Sequence, residues 1–424
     1  MINMKCYNIS KCRILFLGFT VPMEVTERIC LNDRIMPVQT HKFAWSVVHG
    51  LENNGTAVDL LSSEPVSVYP SNKQIIFSWK KWNRENGTFN VMMPFINLLF
   101  LKHITRFFAC LSIIAWWVLK NKQEQNKVIL LHGVHSPYMY AALIIRRFVR
   151  VKVVTIVTDP PGMQLPGEGC LIKSLRRLDV YLITKSLQSM DGLISLTKQL
   201  VMYYAPTVPS IIVEGILNAE DYSASNISSS KCELEQENSF VILYAGGLQP
   251  ENGLELLLNA FLQIEDPSFR LLILGKGDFA NQIKTASQID DRIVFKGFCA
   301  PNEVKKLACT AAVLINPRLS NQEFTQFSFP SKTIEYMASG RPVISTKLPG
   351  IPEEYFSHLI ILEKETPEYL SALFMRLKAT PRKKLDDFGA NAKKFILENK
   401  NETYQGQRII SFLGQLMHDQ KNEY

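Results

Sequence analysis

Two hydrophobic patterns alternate along the chain. Short apolar runs bounded by Gly, Pro, Asn or Asp are typical of buried strands, and the segments between them repeat apolar positions at helical spacing. The predicted strands are Arg13–Gly18, Ala57–Leu61, Lys127–Leu131, Val151–Thr158, Gly192–Leu196 and Ile211–Val213, then Phe240–Ala245, Arg270–Leu274, Ile293–Phe295, Ala311–Ile315 and Val343–Thr346. Strands that alternate with helices form parallel sheets, so the pattern predicts an α/β fold with two Rossmann-like, doubly wound domains.

Composition places the boundary between these domains. Residues 219–239 are rich in Ser, Asn and Glu, which predicts an exposed linker. We therefore assign residues 1–218 to a first domain and residues 240–399 to a second. The C-terminal helix, about residues 400–424, is expected to pack back on the first domain. A chain of 424 residues exceeds what one hydrophobic core usually supports, which agrees with two domains.

Charge is unevenly distributed over the chain. Residues 1–218 carry a net charge of +11 and the remainder −3. A basic half indicates an anionic partner: a membrane surface, a phosphorylated substrate or a nucleic acid. We predict no nucleic-acid partner, because zinc-finger spacing, an RNA-recognition motif and a basic helix array are all missing from the sequence. The 8 cysteines are scattered without a Cys-x-x-Cys pair, which favours reduced thiols in the cytoplasm and no metal site.

The most apolar segment is Pro94–Lys120. Its uninterrupted part, Phe107–Leu119, is too short to cross a bilayer, which needs about 20 residues. Two interpretations remain open: a buried helix of the first domain, or an amphipathic helix in the headgroup region with Trp116 and Trp117 at the interface. Residues 101–150 hold 8 basic side chains and one acidic side chain, and this excess favours contact with an anionic membrane surface.

The richest candidate chemistry lies between Asn316 and Pro352. There the pattern predicts a strand end, a polar loop, a helix Ser331–Ser339 with Ser328 or Ser331 as N-cap, and a further strand. Loops of this kind open at the carboxyl edge of a parallel sheet, where ligands bind. This segment is therefore the predicted site.

Three side chains of this segment match a nucleoside diphosphate. The helix start offers N–H groups to a phosphate, Lys332 in its first turn adds a positive charge, and Arg318 after the preceding strand can face the same anion. Glu335 follows on the same helix face, and its carboxylate can accept hydrogen bonds from two ribose hydroxyls. The alternative is that Lys332 and Glu335 form an ordinary solvated ion pair on a surface helix.

Glycines and a histidine follow other predicted strands. Gly246 and Gly247 follow the first strand of the second domain, and Gly277 follows the next; glycine at such positions lets a ligand approach the backbone. No Gly-x-Gly-x-x-Gly follows the first strand of the chain, which argues against a dehydrogenase. His132 follows a strand of the first domain, where it is either a structural residue or a donor to a sugar hydroxyl.

The second domain contains an ordered set of motifs. They read Tyr-Ala-Gly-Gly-Leu, Gly-Leu-Glu-Leu-Leu-Leu-Asn-Ala-Phe, Leu-Leu-Ile-Leu-Gly-Lys-Gly-Asp, Val-Phe-Lys-Gly-Phe and Phe-Pro-Ser-Lys-Thr-Ile-Glu-Tyr-Met-Ala-Ser-Gly-Arg-Pro-Val-Ile. With these motifs over about residues 240–355, the chain resembles retaining GT-B glycosyltransferases of the family-four, or group 1, type. The resemblance implies two Rossmann-like domains that face a cleft, with the nucleotide sugar bound mainly by the second domain and the acceptor by the first.

The resemblance also implies roles for individual residues. Glu335 looks like the second acid of the family's Glu-x7-Glu motif, which holds the ribose, and Phe298 looks like the loop residue against which the base packs. Gly246 and Gly247 are similar to the glycines that lie against the diphosphate. His132 is similar to a histidine near the transferred sugar.

The chain departs from the family pattern at three positions. Phe327 stands where the first acid of the motif belongs, and Glu323 is the acid that could substitute for it from the loop. Gln249 and Asn252 occupy positions where many relatives carry an Arg and a Lys for the phosphates. Positive charge at the diphosphate is therefore expected from the two cations of the predicted site instead.

We expect a retaining, hexosyltransferase-type glycosyltransferase that uses a nucleoside-diphosphate sugar as co-substrate, with no cofactor and no metal. The predicted catalytic residues are Arg318, Lys332 and His132, and the predicted donor-binding residues are Gly246, Gly247, Gly277, Phe298, Glu323, Ser331, Thr333 and Glu335. The basic, apolar first half favours a lipid-linked glycan acceptor at the inner face of the cell membrane, as in capsule, O-antigen or exopolysaccharide assembly. A sugar-nucleotide epimerase of the same fold and a non-catalytic nucleotide-sugar-binding partner protein are the alternatives.

Overall fold

The computed structural model describes residues 12–33, 38–84, 87–162, 170–222 and 239–419. It divides into two compact α/β units, one formed by Met1–Ile216 with Glu402–Tyr424 and the other by Leu217–Asn401. Residues 223–238, most of the segment assigned to the linker, lie outside the described residues.

The first unit contains a large sheet and a small one. The strands of this unit are β1 (Cys12–Gly18), β2 (Ala57–Ser62), β3 (Ile76–Phe77), β4 (Lys80–Lys81), β5 (Asn90–Met92), β6 (Phe95–Ile96), β7 (Asn126–His132), β8 (Lys152–Val157), β9 (Gly192–Ser195) and β10 (Ser210–Ile212). Eight of these strands pair in the order β10-β9-β8-β7-β1-β2-β5-β4, while β3 pairs with β6. Within the large sheet only β4 is antiparallel to its neighbour.

Helices cover both faces of this sheet. They are α1 (Met23–Asn32), α2 (Val38–Asn53), α3 (Leu101–Lys120), α4 (Ser136–Phe148), α5 (Cys170–Gln188) and α6 (Lys198–Tyr204). The second unit follows with strands β11 (Phe240–Ala245), β12 (Phe269–Leu274), β13 (Ile293–Gly297), β14 (Val313–Asn316), β15 (Val343–Thr346) and β16 (Ile360–Leu362). Its helices are α7 (Leu254–Leu262), α8 (Ala280–Ile289), α9 (Pro301–Thr310), α10 (Glu323–Phe327), α11 (Lys332–Ala338), α12 (Pro367–Ala379) and α13 (Arg382–Asn399). The last helix, α14 (Glu402–Asp419), belongs to the first unit.

The six strands found among the described residues of the second unit are all parallel. They lie in the order β13-β12-β11-β14-β15-β16, so the chain starts in the middle of the sheet, builds outwards on one side and then on the other. This is the order of a Rossmann fold, in which ligands bind at the carboxyl edge where the strand order reverses. One apolar cluster fills each face of the sheet.

The sequence missed the shortest elements. Strands β3 to β6 and β16 have two or three residues each, too few for an alternating pattern to show. The pair Lys80–Lys81 forms β4 at the edge of the first sheet, where lysines hinder pairing with another chain.

The apolar segment Pro94–Lys120 begins with a strand and continues as α3. Of its two adjacent tryptophans, Trp117 is fully buried and its Nε1 donates to an oxygen of Asp59 at 2.7 Å. The prediction that Trp117 lies at a membrane interface is therefore wrong. Trp116 points to the other side of the helix and is 44% exposed.

Helix α14 packs against α2 through glycines. A Cβ placed on Gly406 would lie 2.0 Å from the carbonyl oxygen of Gly50, and a Cβ on Gly50 would lie 2.4 Å from that of Glu402. Neither glycine has a positive φ. The closeness of the two backbones is therefore the reason that no side chain fits.

We expect Gly406→Ala to lower the free energy of unfolding by roughly 1–3 kcal/mol, because the added methyl group overpacks this contact. Urea denaturation measures the effect. Gln407→Ala is the control, since residue 407 is exposed on the same helix. Equal stability of the two variants would contradict close contact between α14 and α2.

Candidate functional site

The reversal point of the second sheet lies between β11 and β14. The loop after β11 runs from Gly246 to Gly253, and the loop after β14 begins with Pro317. Gly253 has φ +76°, and a Cβ on it would lie 1.9 Å from the carbonyl oxygen of Pro317. The two loops are therefore in backbone contact at the edge where a ligand is expected.

Hydrogen bonds fix the shape of the loop after β11. The Tyr244 hydroxyl donates to the carbonyl oxygen of Gly247 at 2.7 Å, and Nδ2 of Asn252 donates to the same oxygen at 2.8 Å. Asn252 is 9% exposed, so it acts here as an internal brace of the loop. Gly247 itself is exposed and can be approached from solvent.

The loop after β12 packs on the same turn. A Cβ on Gly275 would lie 1.9 Å from the carbonyl oxygen of Gly246, and a Cβ on Gly277 would lie 2.4 Å from that of Leu248. Both glycines have positive φ, at +144° and +155°. Gly277 is thus needed for contact between the two loops, whatever else it touches.

Arg318 lies at the reversal point and is half-buried. Its guanidinium lies 5.8 Å from the centre of the Phe324 ring, and burial lowers the pKa of Arg318 although the nearby hydroxyls of Tyr244 and Tyr336 raise it. Among the described residues, no carboxylate forms an ion pair with this guanidinium and no hydrogen bond from it is found. A partly desolvated cation of this kind favours an anionic ligand.

Tyr336 lies in α11 and bonds to the end of β11, a role that no sequence motif indicated. Its hydroxyl donates to the carbonyl oxygen of Ala245 at 2.8 Å and accepts from the N–H of Ala245 at 2.7 Å. Burial raises the pKa of Tyr336; Glu335 raises it further and Arg318 lowers it. Arg318 and Glu335 therefore both lie within electrostatic range of this hydroxyl.

Lys332 and Glu335 pair with each other. Nζ of Lys332 lies 2.5 Å from Oε2 of Glu335, and each side chain exposes about a third of its surface, 35% and 32%. This geometry is the solvated pair that the sequence left as an alternative. The ammonium of Lys332 and the carboxylate of Glu335 both remain accessible to solvent in this arrangement.

The start of α11 differs from the prediction. Ser331 has helical φ and ψ of −51° and −29°, and no side-chain hydrogen bond caps the helix. The helix has 7 residues, so its dipole contributes less than that of a longer helix. Thr333 is fully buried and accepts from Nδ2 of Asn316 at 3.3 Å, so it fastens α11 to the end of β14 and does not face a ligand.

Two further donor-site predictions fall on neighbouring loops. Phe298 is 72% exposed, and Nζ of Lys276 lies 5.4 Å from the centre of its ring, a surface on which a planar base can stack. Glu323 begins α10, but its side chain lies outside the described residues. Phe327 ends the same short helix.

His132 belongs to the first unit, at the end of β7. It is 4% exposed, its ring stacks on Phe16 at 5.8 Å, and its Nε2 has no hydrogen-bond partner within the described ranges. Burial and the nearby His41 lower the pKa of His132 to about 4. The imidazole is therefore neutral at pH 7.

This pKa predicts a pH dependence of stability. An unfolded histidine titrates near pH 6.5, so as the pH falls the unfolded state binds a proton before the folded state does. The free energy of unfolding therefore decreases between about pH 6.5 and 4, by about 3 kcal/mol for this group. We expect His132→Gln to flatten that decline in urea denaturation series. His135, whose pKa is also lowered by burial, remains and leaves a residual slope. Identical slopes for both proteins would contradict a neutral, buried His132.

Comparison with known proteins identifies this region. Residues 239–378, which hold the three loops, Arg318 and Glu335, match the family model "Glycosyl transferases group 1". This part of the second unit is therefore similar to a group 1 glycosyltransferase domain. Within the described ranges, no three His, Cys, Asp or Glu side chains group together as candidate metal ligands in or near this domain.

Curated relatives that match part of the chain include glycosyltransferases named for colanic acid and lipopolysaccharide. The putative colanic acid biosynthesis glycosyltransferase WcaL of Escherichia coli is 31% identical over 117 residues, which is 26% of this chain and 29% of that protein. A lipopolysaccharide 1,2-N-acetylglucosaminetransferase of Salmonella typhimurium is 27% identical over 167 residues, 36% of this chain and 42% of that protein. The chain thus covers less than half the length of either relative.

Solved structures extend the likeness to both units. Sucrose-phosphate synthase of Thermosynechococcus elongatus superposes with a TM-score of 0.63 at 14% identity, covering 97% of this chain and 100% of that one. HepE of Anabaena, solved in complex with UDP, superposes with a TM-score of 0.59 at 15% identity over 95% and 100% of the two chains. The predicted α/β class and GT-B fold are confirmed.

Proposed function

We propose that this chain transfers a sugar, with retention of anomeric configuration, from a nucleoside-diphosphate sugar to a hydroxyl of a glycan in cell-surface polysaccharide biosynthesis. The observation that carries the proposal is Arg318, a half-buried cation without an ion-pair partner in the described residues. It lies at the reversal point of the sheet, inside the segment that matches the glycosyltransferase family. A diphosphate is the anion that this position fits best.

We assign the diphosphate, the ribose and the base of the donor to different side chains of the second unit. The diphosphate lies against the exposed backbone of Gly247, with Arg318 as its fixed counter-charge. Glu335 accepts from the ribose hydroxyls, and the base stacks on the exposed ring of Phe298. When the donor binds, Lys332 leaves its ion pair with Glu335 and contacts the diphosphate. The diphosphate then takes the place of Glu335 as the anionic partner of Lys332.

Transfer breaks the bond between the anomeric carbon and a diphosphate oxygen. The acceptor oxygen bonds to that carbon on the same face, and the proton of the acceptor hydroxyl passes to the departing diphosphate. Negative charge grows on the departing diphosphate, and a cation already held beside it lowers the barrier without reorganisation. Arg318 and Lys332 supply this charge, and the proposal requires no cofactor. His132 is buried and carries no charge at pH 7, so it supplies none of this charge.

A panel of UDP-, GDP- and CMP-linked sugars tests the proposal. The acceptors are glycans recovered from lipid-linked intermediates, and the reaction is scored for released nucleotide and for glycosylated product. Product from one donor, or slow release of nucleotide without acceptor, supports transfer. Isomerised donor would instead indicate an epimerase.

A non-catalytic nucleotide-sugar-binding protein is the second candidate. It is favoured by Phe327, which stands where the family motif has an acid, and by the closed pair of Lys332 and Glu335. Binding of a donor by calorimetry, with neither product nor hydrolysis on any acceptor, would support this candidate.

We expect Lys332→Ala to lower kcat for transfer by roughly tenfold to a hundredfold, because one of two cations at the departing diphosphate is lost. The melting temperature should change little, since the lost ion pair is partly exposed. Lys306→Ala, in α9 of the same unit, is the control for loss of one positive charge. Unchanged turnover in Lys332→Ala would remove Lys332 from the mechanism.

A further inference from the structure

The outer side of α3 carries large apolar side chains from its first turn to its last, with Ser112 as an exposed polar residue among them. The residues Leu101, Ile104, Phe108, Trp116 and Leu119 share one side of the helix and expose 43%, 50%, 59%, 44% and 67% of their surface. We call these five residues the outer α3 face. A surface helix in water normally presents polar side chains on this side.

Two of the three Lys and Arg residues of the same helix, Lys102 and Arg106, point inward. Lys102 is 6% exposed and its Nζ donates to the carbonyl oxygen of Val66 at 2.5 Å. Arg106 is 3% exposed and its Nη2 donates to the carbonyl oxygen of Glu64 at 2.7 Å. Helix α3 therefore buries two basic side chains and exposes large apolar ones. This inverted arrangement is unfavourable in water and suits a helix whose outer side meets an apolar phase.

The apolar surface continues beyond α3. A groove of about 340 Å³ separates α3 from α4 and α5, and Phe107, Pro137 and Leu182 line it. On its far side, α5 exposes 54% of Leu178 and 58% of Tyr181. The surface therefore spans three helices, far more than scattered exposed residues would give.

Basic residues border this surface. Nζ of Lys120 lies 5.0 Å from the centre of the Trp116 ring at the end of α3. In α5, which holds four basic residues and one acidic residue, Nζ of Lys185 lies 5.9 Å from the centre of the Tyr181 ring. Tryptophan beside lysine, next to an apolar face, is typical of helices at the boundary between headgroups and acyl chains.

We propose that the outer α3 face and the adjoining face of α5 seat the first unit on the surface of an anionic phospholipid bilayer. Charge complementarity selects this occupant over a second copy of the chain, because a two-fold interface would bring two basic borders together. The helix lies along the surface, since its other side, with Trp117 and Arg106, is buried inside the protein. This inference rests on the first unit alone and does not depend on the transfer reaction.

Vesicle flotation of the full chain tests the proposal. The vesicles contain either phosphatidylcholine alone or phosphatidylcholine with about a third of phosphatidylglycerol. The variant Ile104→Ser/Phe108→Ser/Leu119→Ser removes three members of the outer α3 face. Its matched control, Leu262→Ser/Ile289→Ser/Met375→Ser, changes residues of the second unit that are 46%, 79% and 45% exposed.

We expect the unmodified chain and the control to bind the anionic vesicles, and the α3 variant to bind them at least about tenfold more weakly. Binding to phosphatidylcholine alone should be weaker, and salt should reduce the difference between the two vesicles. The single variant Leu119→Ser, changed in the last turn, repeats the measurement if the triple variant does not fold.

Three results would overturn the proposal. One is failure of the unmodified chain to float with anionic vesicles, and another is equal binding by the α3 variant and the unmodified chain. The third is a dimer in sedimentation that the α3 variant dissociates, without vesicle binding, which would mean that a second copy covers this face.

Discussion

Replacing Arg318 by Met should lower kcat/KM for sugar transfer by roughly 10²- to 10³-fold, the usual effect of removing a fixed charge or donor that acts on the departing group. The same substitution should leave the free energy of unfolding unchanged or higher. Met fills a similar volume, and it removes a guanidinium that burial has partly desolvated without a carboxylate partner in the described residues. Loss of activity together with retained stability is the result expected of a group held for a ligand.

Steady-state kinetics and urea denaturation measure the two effects. Arg376→Met is the control, because it removes an exposed arginine from α12 of the same unit. Arg318→Lys should recover part of the rate, since it restores the charge without the forked geometry of a guanidinium. If Arg318→Met instead destabilised the chain and left kcat/KM unchanged, Arg318 would be a structural residue.

Replacing Gly253 by Ala should cost about 3 kcal/mol or more of stability and abolish donor binding, since two unfavourable effects combine. The residue has φ +76°, and its Cβ would lie 1.9 Å from the carbonyl oxygen of Pro317. That carbonyl is backbone and precedes Arg318, so the loop after β14 must shift. Calorimetric titration with the preferred donor and urea denaturation report the two losses.

Gly297→Ala is the control that separates backbone strain at a positive φ from the steric clash with Pro317. Gly297 has φ +69°, and nothing lies within 4 Å of a Cβ built on it. Gly297 therefore shares the positive φ of Gly253 but not the close contact with Pro317. The free energy of unfolding of Gly297→Ala should fall by only about 1 kcal/mol. Equal losses in the two variants would show that the contact between the loops contributes nothing.

Sequence patterns located the regular parts of this chain well, because each long strand is an apolar run between glycines or polar residues. The strand Phe240–Ala245 was predicted with the bounds that the structure has. Short elements were missed because their neighbours, rather than their own residues, decide their conformation. The loop before α11 shows this, since α10 forms there from only 5 residues.

Within the candidate site, the sequence identified the residue types but not their partners. It placed glycines and cations at strand ends, and Arg318 lies at the reversal point. It did not reveal that Asn252 braces the glycine loop or that Tyr336 bonds both polar groups of Ala245, because these contacts join distant positions. The prediction for Trp117 was wrong for a similar reason: adjacent side chains point about 100° apart around a helix, and only packing decides which tryptophan is buried.

The first unit is built from two stretches of the chain that are far apart in sequence, and this affects how it folds during synthesis. Ile409 and Leu413 of α14 lie in the same apolar cluster as β1, yet the ribosome adds them only after the whole second unit. The amino-terminal stretch therefore emerges with part of its interior uncovered, and it must wait for the carboxyl-terminal residues before its core can close. During elongation that nascent surface is available to chaperones.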